Sequence, residues 1–125
     1  MPRITVIDDD KDLLRVVKSL LLRRGFNVST YSDWGSARKE IKKYEPQLIL
    51  LDVFLAGIDG FDVCKQLKAN SFTRHIPIII FSAYPRVAET AIYEYGATDF
   101  ISKPFEVSDL VKRVHRILSH PGEVV

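Results

Sequence analysis

The sequence contains only one cysteine, Cys64, so it cannot form a disulfide within the chain, and a reducing compartment is expected. It has no apolar run near the roughly 18 residues that are needed to span a bilayer. The first ten residues, MPRITVIDDD, become acidic too early for a signal peptide. Low-complexity tracts and internal repeats are absent as well. These absences argue against disulfide-rich, membrane-spanning and repeat proteins, and we expect a cytoplasmic protein that does not contact a membrane.

Neither charge is in strong excess, with 18 Lys and Arg residues against 16 Asp and Glu residues and a net charge of +2. The basic residues are spread over several segments, so direct contact with nucleic acid is not indicated. A chain of 125 residues with 46% hydrophobic and 27% charged residues is typical of one globular domain. We expect this domain to cover residues 1–119, with residues 120–125 as a C-terminal tail or the start of a linker.

Short apolar runs alternate with longer amphipathic stretches along the chain. Five strand and helix pairs in this order predict an α/β fold with a parallel sheet that is covered by helices on both faces. The third helix is predicted to begin near Phe61 and the fourth near Val87, and the fifth is predicted to bury an apolar stripe that starts at Val107. The predicted strands are ITVI, FNVSTY, QLILLD, IPIIIFS and DFIS.

Polar side chains follow these strands at their carboxyl ends, where open α/β sheets bind ligands. Three acids at positions 8–10 follow the first strand, Asp52 ends the third, Ser82 ends the fourth, and Lys103 and Pro104 follow the fifth. Carboxylates that lie close together repel each other and need a cation, and oxygen ligands suit Mg²⁺. With an amine and a hydroxyl nearby, such a site suits phosphoryl transfer to a side-chain oxygen.

Each of these residues also has a simpler interpretation. Asp10 is favoured as the N-cap of the first helix, and Asp59 and Asp62 as capping or first-turn residues of the third. Ser82 alone is typical of a turn, and Lys103 alone is typical of a solvated surface. The order of the site positions along the chain, rather than any one of them, indicates a shared site.

Four segments together resemble the receiver domains of response regulators in two-component signalling, which have the chemotaxis-type receiver fold. They are VIDDD at 6–10, LLDVFLAGIDG at 50–60, FSA at 81–83 and GATDFISKPF at 96–105. The resemblance covers essentially the whole chain. It implies a flavodoxin-like sheet with strand order 2-1-3-4-5, and a signalling protein that catalyses only its own phosphorylation and dephosphorylation.

The resemblance also implies roles for the residues at the strand ends. Asp52 would accept a phosphoryl group from a histidine kinase, a histidine phosphotransfer protein or a small donor, and Lys103 would pair with the phosphoryl oxygens. The Lys103–Pro104 bond is expected to be cis. Ser82 would hydrogen-bond to the phosphoryl group, and Phe100 would move inward behind it as the switch aromatic. Mg²⁺ would be held by Asp8, Asp9, Asp52 and the backbone carbonyl of Phe54.

The sequence departs from the family pattern at two places. The loop after Asp52 usually reads Met-Pro-Gly and here reads Leu55-Ala56-Gly57, which frees a φ angle and leaves the order of the loop open. Phe100 stands where Tyr is common, so it cannot form a hydrogen bond when it is turned outward. Its switch would work by burial alone.

Four aromatic residues suggest further hypotheses. Phe54 and Tyr84 each lie two positions after a site residue, so their rings should border the entrance and hinder the water that hydrolyses the phosphorylated state; ordinary loop aromatics are the alternative. Tyr93 and Phe100 are expected on a partner surface formed by helix four, strand five and helix five, where the family binds an output domain or target, or a second copy when phosphorylated. A merely solvated Tyr93 is the alternative.

Two other functions share part of this sequence pattern. A phosphohydrolase of the haloacid-dehalogenase type would use Asp8 as nucleophile in a D-x-D pattern, but Asp12 stands where Thr or Val is expected, no later acidic pair ends the fourth strand, and the chain is short for that enzyme core. A receiver-like domain that only binds partners would not need all five site positions.

Overall fold

The computed structural model describes residues 1–119 apart from residues 56, 85 and 87. The predicted tail at 120–125 therefore lies outside the described residues, as does the predicted start of the fourth helix at Val87. The strands are β1 (Arg3–Ile7), β2 (Asn27–Tyr31), β3 (Leu48–Asp52), β4 (Phe54–Leu55), β5 (Ile58–Asp59), β6 (Ile78–Ser82) and β7 (Asp99–Ser102). The helices are α1 (Lys11–Arg23), α2 (Trp34–Tyr44), α3 (Gly60–Ala69), α4 (Ala88–Tyr95) and α5 (Val107–Ser119).

The five long strands form one parallel sheet in the order β2-β1-β3-β6-β7. This confirms the predicted doubly wound α/β fold, because the five predicted strands lie in the order 2-1-3-4-5. The near-continuous aliphatic composition of β3 and β6 is explained by their central positions, where both faces of each strand are covered.

The core is divided into two layers by the sheet. Successive side chains of a strand point to opposite faces, so Ile49 and Leu51 pack with α2, α3 and α4, while Leu48 and Leu50 pack with α1 and α5. Cys64 lies buried in the first layer as a free thiol, as its lack of a partner requires. No helix in the described part of the chain is long and apolar enough to cross a membrane.

The structure differs from the sequence predictions in three details. β4 and β5 form a small antiparallel hairpin that was not predicted, with Phe54 opposite Asp59 and Leu55 opposite Ile58. α3 begins at Gly60, one residue earlier than expected. The prediction that Val107 is buried is wrong, because it is the first residue of α5 and its side chain is 43% exposed.

Candidate functional site

Three carboxylates meet at the carboxyl edge of the sheet. The register pairs Ile7 with Leu51, so Asp8, which follows β1, lies beside Asp52 at the end of β3. Asp8 and Asp52 are buried, whereas Asp9 is exposed. One oxygen atom from each of these three carboxylates lies within 4.8 Å of the other two. This donor set fits a hard cation such as Mg²⁺, as the sequence predicted.

Lys103 supplies a positive charge to the same edge. The adjacent strands β6 and β7 place it there, because its backbone N–H donates to the Ser82 carbonyl at 2.8 Å. Its Nζ lies 2.6 Å from Asp8 Oδ2 and 3.5 Å from Asp52 Oδ2. The amine therefore bridges the two buried carboxylates. The Lys103–Pro104 bond is cis, as predicted.

The surroundings of Asp52 make its carboxyl group a weaker acid than usual. Burial and, after it, the adjacent Asp8 carboxylate together raise the pKa of Asp52 from 3.8 to about 6. The Lys103 ammonium opposes this rise, as does the hydrogen bond that the Phe54 backbone N–H donates to Asp52 Oδ1 at 3.3 Å. A second cation would relieve the repulsion between the two carboxylates.

Ser82 ends β6 at the same edge of the sheet, and Phe100 lies within β7 opposite Ile80. Ser82 is buried, and its Oγ accepts a hydrogen bond from the Tyr84 backbone N–H at 3.0 Å. Phe100 is also buried and belongs to the core layer that packs with α2, α3 and α4. Its ring is therefore turned inward in this structure.

The rings of Phe54 and Tyr84, whose backbone N–H groups donate to Asp52 and Ser82, pack against each other. Their side chains are 56% and 58% exposed, and their centroids lie 5.2 Å apart in an edge-to-face arrangement. Such pairs attract each other beyond the area that they bury. The two positions that sequence reasoning placed at the entrance are thus in direct contact with each other.

Residues 54–55 and 58–59, in the segment after Asp52, pair as a hairpin that the sequence did not indicate. The β4 and β5 hairpin pairs Phe54 with Asp59, and Leu55 is buried in the core. The backbone N–H of Gly60 donates to the Val53 carbonyl at 2.6 Å and closes the base of the hairpin. These contacts hold the loop although it lacks the usual proline. Gly57 lies between the two strands with a φ of 74°, and this glycine is the local turn signal in the sequence.

Three other acids have the simpler roles that were weighed for them. Asp10 is the N-cap of α1, and its side chain accepts hydrogen bonds from the Asp12 and Leu13 backbone N–H groups. Asp59 is the N-cap of α3, and Asp62 lies in the first turn of that helix. The N-cap interpretations of Asp10 and Asp59 are therefore confirmed.

Only one of the two residues predicted on a partner surface is exposed here. Tyr93 projects from α4 with 83% of its side chain exposed, as its position off the inward face predicted. Phe100 is buried, because its strand is covered by the helices of that core layer. In this conformation Phe100 therefore does not contribute to an exposed contact surface.

The family model described as the response regulator receiver domain matches residues 4–115. The chain belongs to this family. It is 35% identical over 113 residues to the DNA-binding response regulator MtrA of Mycolicibacterium smegmatis, covering 90% of this chain and 48% of MtrA. It is 33% identical over 125 residues to the DNA-binding dual master transcriptional regulator RpaA of Synechocystis, covering 99% of this chain and 52% of RpaA.

Solved receiver structures agree with this assignment. The receiver domain of NtrX from Brucella abortus superposes with a TM-score of 0.84 at 32% identity, covering 93% of this chain and 98% of that one. The chain spans about half the length of the curated relatives that it matches. As a member of this family it is a two-component signalling protein, which argues against the phosphohydrolase alternative.

Proposed function

We propose that this receiver domain accepts a phosphoryl group on Asp52, from a histidine kinase, a histidine phosphotransfer protein or a small phosphodonor. The observation that carries the proposal is the convergence of the Asp52 carboxylate with Asp8, Asp9 and the Lys103 amine at one edge of the sheet. A site of this kind needs little more than charge neutralisation and positioning to transfer a phosphoryl group.

The chemical step forms a bond between an Asp52 carboxylate oxygen and phosphorus, while the bond from phosphorus to the donor nitrogen or oxygen breaks. Asp8, Asp9, Asp52 and the backbone carbonyl of Phe54 would hold Mg²⁺, which when bound neutralises the charge of the carboxylates and the phosphoryl group. Lys103 Nζ would leave its present carboxylate partners to pair with phosphoryl oxygens. Ser82 Oγ would exchange its contact with the Tyr84 N–H for one with the phosphoryl group.

Phosphorylation would then act as a switch through the residues behind the site. A phosphoryl group adds charge and acceptor oxygens, and it shifts the population only to the extent that Ser82 and Lys103 bind it better in one state. Phe100, which is already buried, would stay inward in the phosphorylated state and turn outward in the unphosphorylated state. Because it has no hydroxyl, its contribution would come from burial alone.

The same proposal extends to partners. The surface of α4, β7 and α5, with Tyr93 exposed on it, would contact an output domain, a target protein or a second copy when phosphorylated. MtrA and RpaA are described as DNA-binding regulators, which suggests an output domain that binds DNA. It would be joined after residue 119 by a linker that begins at 120–125. Residues 1–119 themselves would not contact nucleic acid or a membrane. Such regulators act in the cytoplasm.

Intact-mass measurement tests the proposal directly. The protein is incubated with acetyl phosphate with and without Mg²⁺, and we expect a gain of one phosphoryl group that requires Mg²⁺ and is lost in Asp52→Asn. Asp62→Asn is the control, because it makes the same change at an exposed acid nearby. No gain in the native protein with either acetyl phosphate or a histidine kinase donor would favour a domain that only binds partners.

A further inference from the structure

The first residue of α3, Gly60, lies against the backbone that carries Asp52. A Cβ atom at this position would stand 2.3 Å from the Asp52 carbonyl oxygen, 2.6 Å from Val53 Cα and 2.7 Å from the Val53 carbonyl oxygen. Real Cβ atoms essentially never approach other atoms closer than 3.0 Å. All three neighbours are backbone atoms, so none can rotate away as the end of a side chain could.

The contact is reinforced on both sides of Gly60. Its backbone N–H donates to the Val53 carbonyl at 2.6 Å, and the adjacent Asp59 side chain caps the helix by accepting from the Phe61 N–H at 2.8 Å. The start of α3 is therefore held against the backbone of Asp52 and Val53, next to the Asp52 carbonyl and hydrogen-bonded to the Val53 carbonyl. A helix held in this way fixes the position of that backbone in turn.

The backbone of Asp52 and Val53 sets the direction of two parts of the candidate site, the Asp52 side chain at the end of β3 and Phe54 just after it. Asp52 must hold one carboxylate oxygen near Lys103 and another at 3.3 Å from the Phe54 N–H. Phe54, two residues further on, is the residue whose carbonyl is proposed to bind Mg²⁺. The loop has no proline to restrict it, so its order depends on the hairpin and on the contact with Gly60.

We propose that Gly60 is a positioning residue for Asp52. Because it has no side chain, α3 can lie directly on the Asp52–Val53 peptide group and hold the carboxylate in place relative to Asp8 and Lys103. Any larger residue would push the end of β3 away from the helix. The inference rests on the proposed function where it concerns phosphorylation, whereas its consequence for Mg²⁺ affinity can be measured separately.

The test is Gly60→Ala, with Gly35→Ala as a matched control. Gly35 also lies in the first turn of a helix behind an Asp N-cap, but a Cβ there would meet only Asp33 Oδ1, at 3.3 Å. Urea unfolding followed by circular dichroism first establishes that each variant is folded. Mg²⁺ affinity is then measured by calorimetry, and the phosphorylation rate is measured with acetyl phosphate at saturating Mg²⁺.

We expect Gly60→Ala to weaken Mg²⁺ binding and to slow phosphorylation by about tenfold or more, since a misplacement of 1 Å can cost a reaction about a hundredfold. Gly35→Ala should leave both unchanged. A folded Gly60→Ala protein with native Mg²⁺ affinity and rate would overturn the proposal. If the native protein binds Mg²⁺ but is not phosphorylated, the proposed function fails, while the comparison of Mg²⁺ affinities still decides the role of Gly60.

A measurement on the native protein decides the case if Gly60→Ala does not fold. Mg²⁺ is titrated while the backbone amide resonances are followed by NMR. We expect the Gly60 amide resonance to shift with the occupancy of the site, because its N–H donates a hydrogen bond to the carbonyl of Val53, the residue after Asp52. The Gly35 amide resonance should not shift. A Gly60 resonance that stays in place through saturation would contradict the proposed coupling.

Discussion

Replacing Asp52 by Asn should stabilise the metal-free protein, and the gain should depend on pH. The pKa of Asp52 rises from 3.8 to about 6 on folding, chiefly through burial and through the adjacent Asp8 carboxylate. At 1.36 kcal/mol for each tenfold change, this rise corresponds to about 3 kcal/mol. Asn has nearly the same shape and carries no charge, so Asp52→Asn removes this cost.

The direction of the pH dependence of the unfolding free energy follows from proton binding. A carboxyl group whose pKa is raised on folding holds its proton more tightly in the folded state, so the free energy of unfolding falls as pH rises from about 3.8 to about 6. The full cost of about 3 kcal/mol is present above about pH 7, and about half of it is present at about pH 5. The difference between Asp52→Asn and the native protein should therefore grow by roughly 1 kcal/mol between these two pH values.

Urea unfolding in a buffer that contains a chelator measures this difference at each pH. Glu40→Gln is the control, because it removes one charge from an exposed position on α2 and should show no comparable growth with pH. Excess Mg²⁺ should stabilise the native protein more than Asp52→Asn and so reduce the difference. A difference that stays constant between about pH 5 and about pH 7.5, or that shrinks, would refute the electrostatic account of the site.

Three further changes test other parts of the site. Lys103→Met should lower the free energy of unfolding of the metal-free protein by about 3 kcal/mol, because it leaves two buried carboxylates without their cation. Urea unfolding at neutral pH measures this, and an unfolding free energy equal to that of the native protein would contradict it. Tyr84→Ala should speed the loss of the phosphoryl group, because it removes one ring of the pair with Phe54; intact-mass measurements over time give the rate. Phe72→Ala, which removes an equally exposed ring, should leave the rate unchanged. An unchanged rate in Tyr84→Ala would reject the shielding hypothesis. Tyr93→Ala should weaken the concentration-dependent sedimentation of the phosphorylated protein, and unchanged association would remove Tyr93 from the partner surface.

The sheet and its order could be predicted because the sequence repeats one local pattern. Five aliphatic runs alternate with amphipathic stretches, and parallel strands joined by right-handed crossovers leave few topologies open. The acids, the hydroxyl and the amine that follow these runs necessarily lie at one edge. The strand register places Asp8 beside Asp52, and the long side chain of Lys103 reaches both carboxylates from the end of β7.

The features that could not be predicted depend on contacts without a periodic signal. Strands of two residues are too short to show alternation, so the hairpin at Phe54–Leu55 and Ile58–Asp59 was missed. The close approach of Gly60 is between backbone atoms, which no side-chain pattern encodes. Phe100 was expected on the partner surface, yet Asp99, Phe100 and Ile101 are buried in succession, so β7 does not alternate as a strand with one open face would.

The central claim is that Asp52, and not Asp8, carries the phosphoryl group. Protein phosphorylated with acetyl phosphate and Mg²⁺ can be reduced with borohydride, which converts an aspartyl phosphate to homoserine, and then digested with trypsin. Cleavage after Lys and Arg places the two candidates in different peptides, residues 4–11 for Asp8 and residues 44–65 for Asp52. We predict homoserine at position 52 in the second peptide. Homoserine at position 8 would contradict the account and favour chemistry of the phosphohydrolase type.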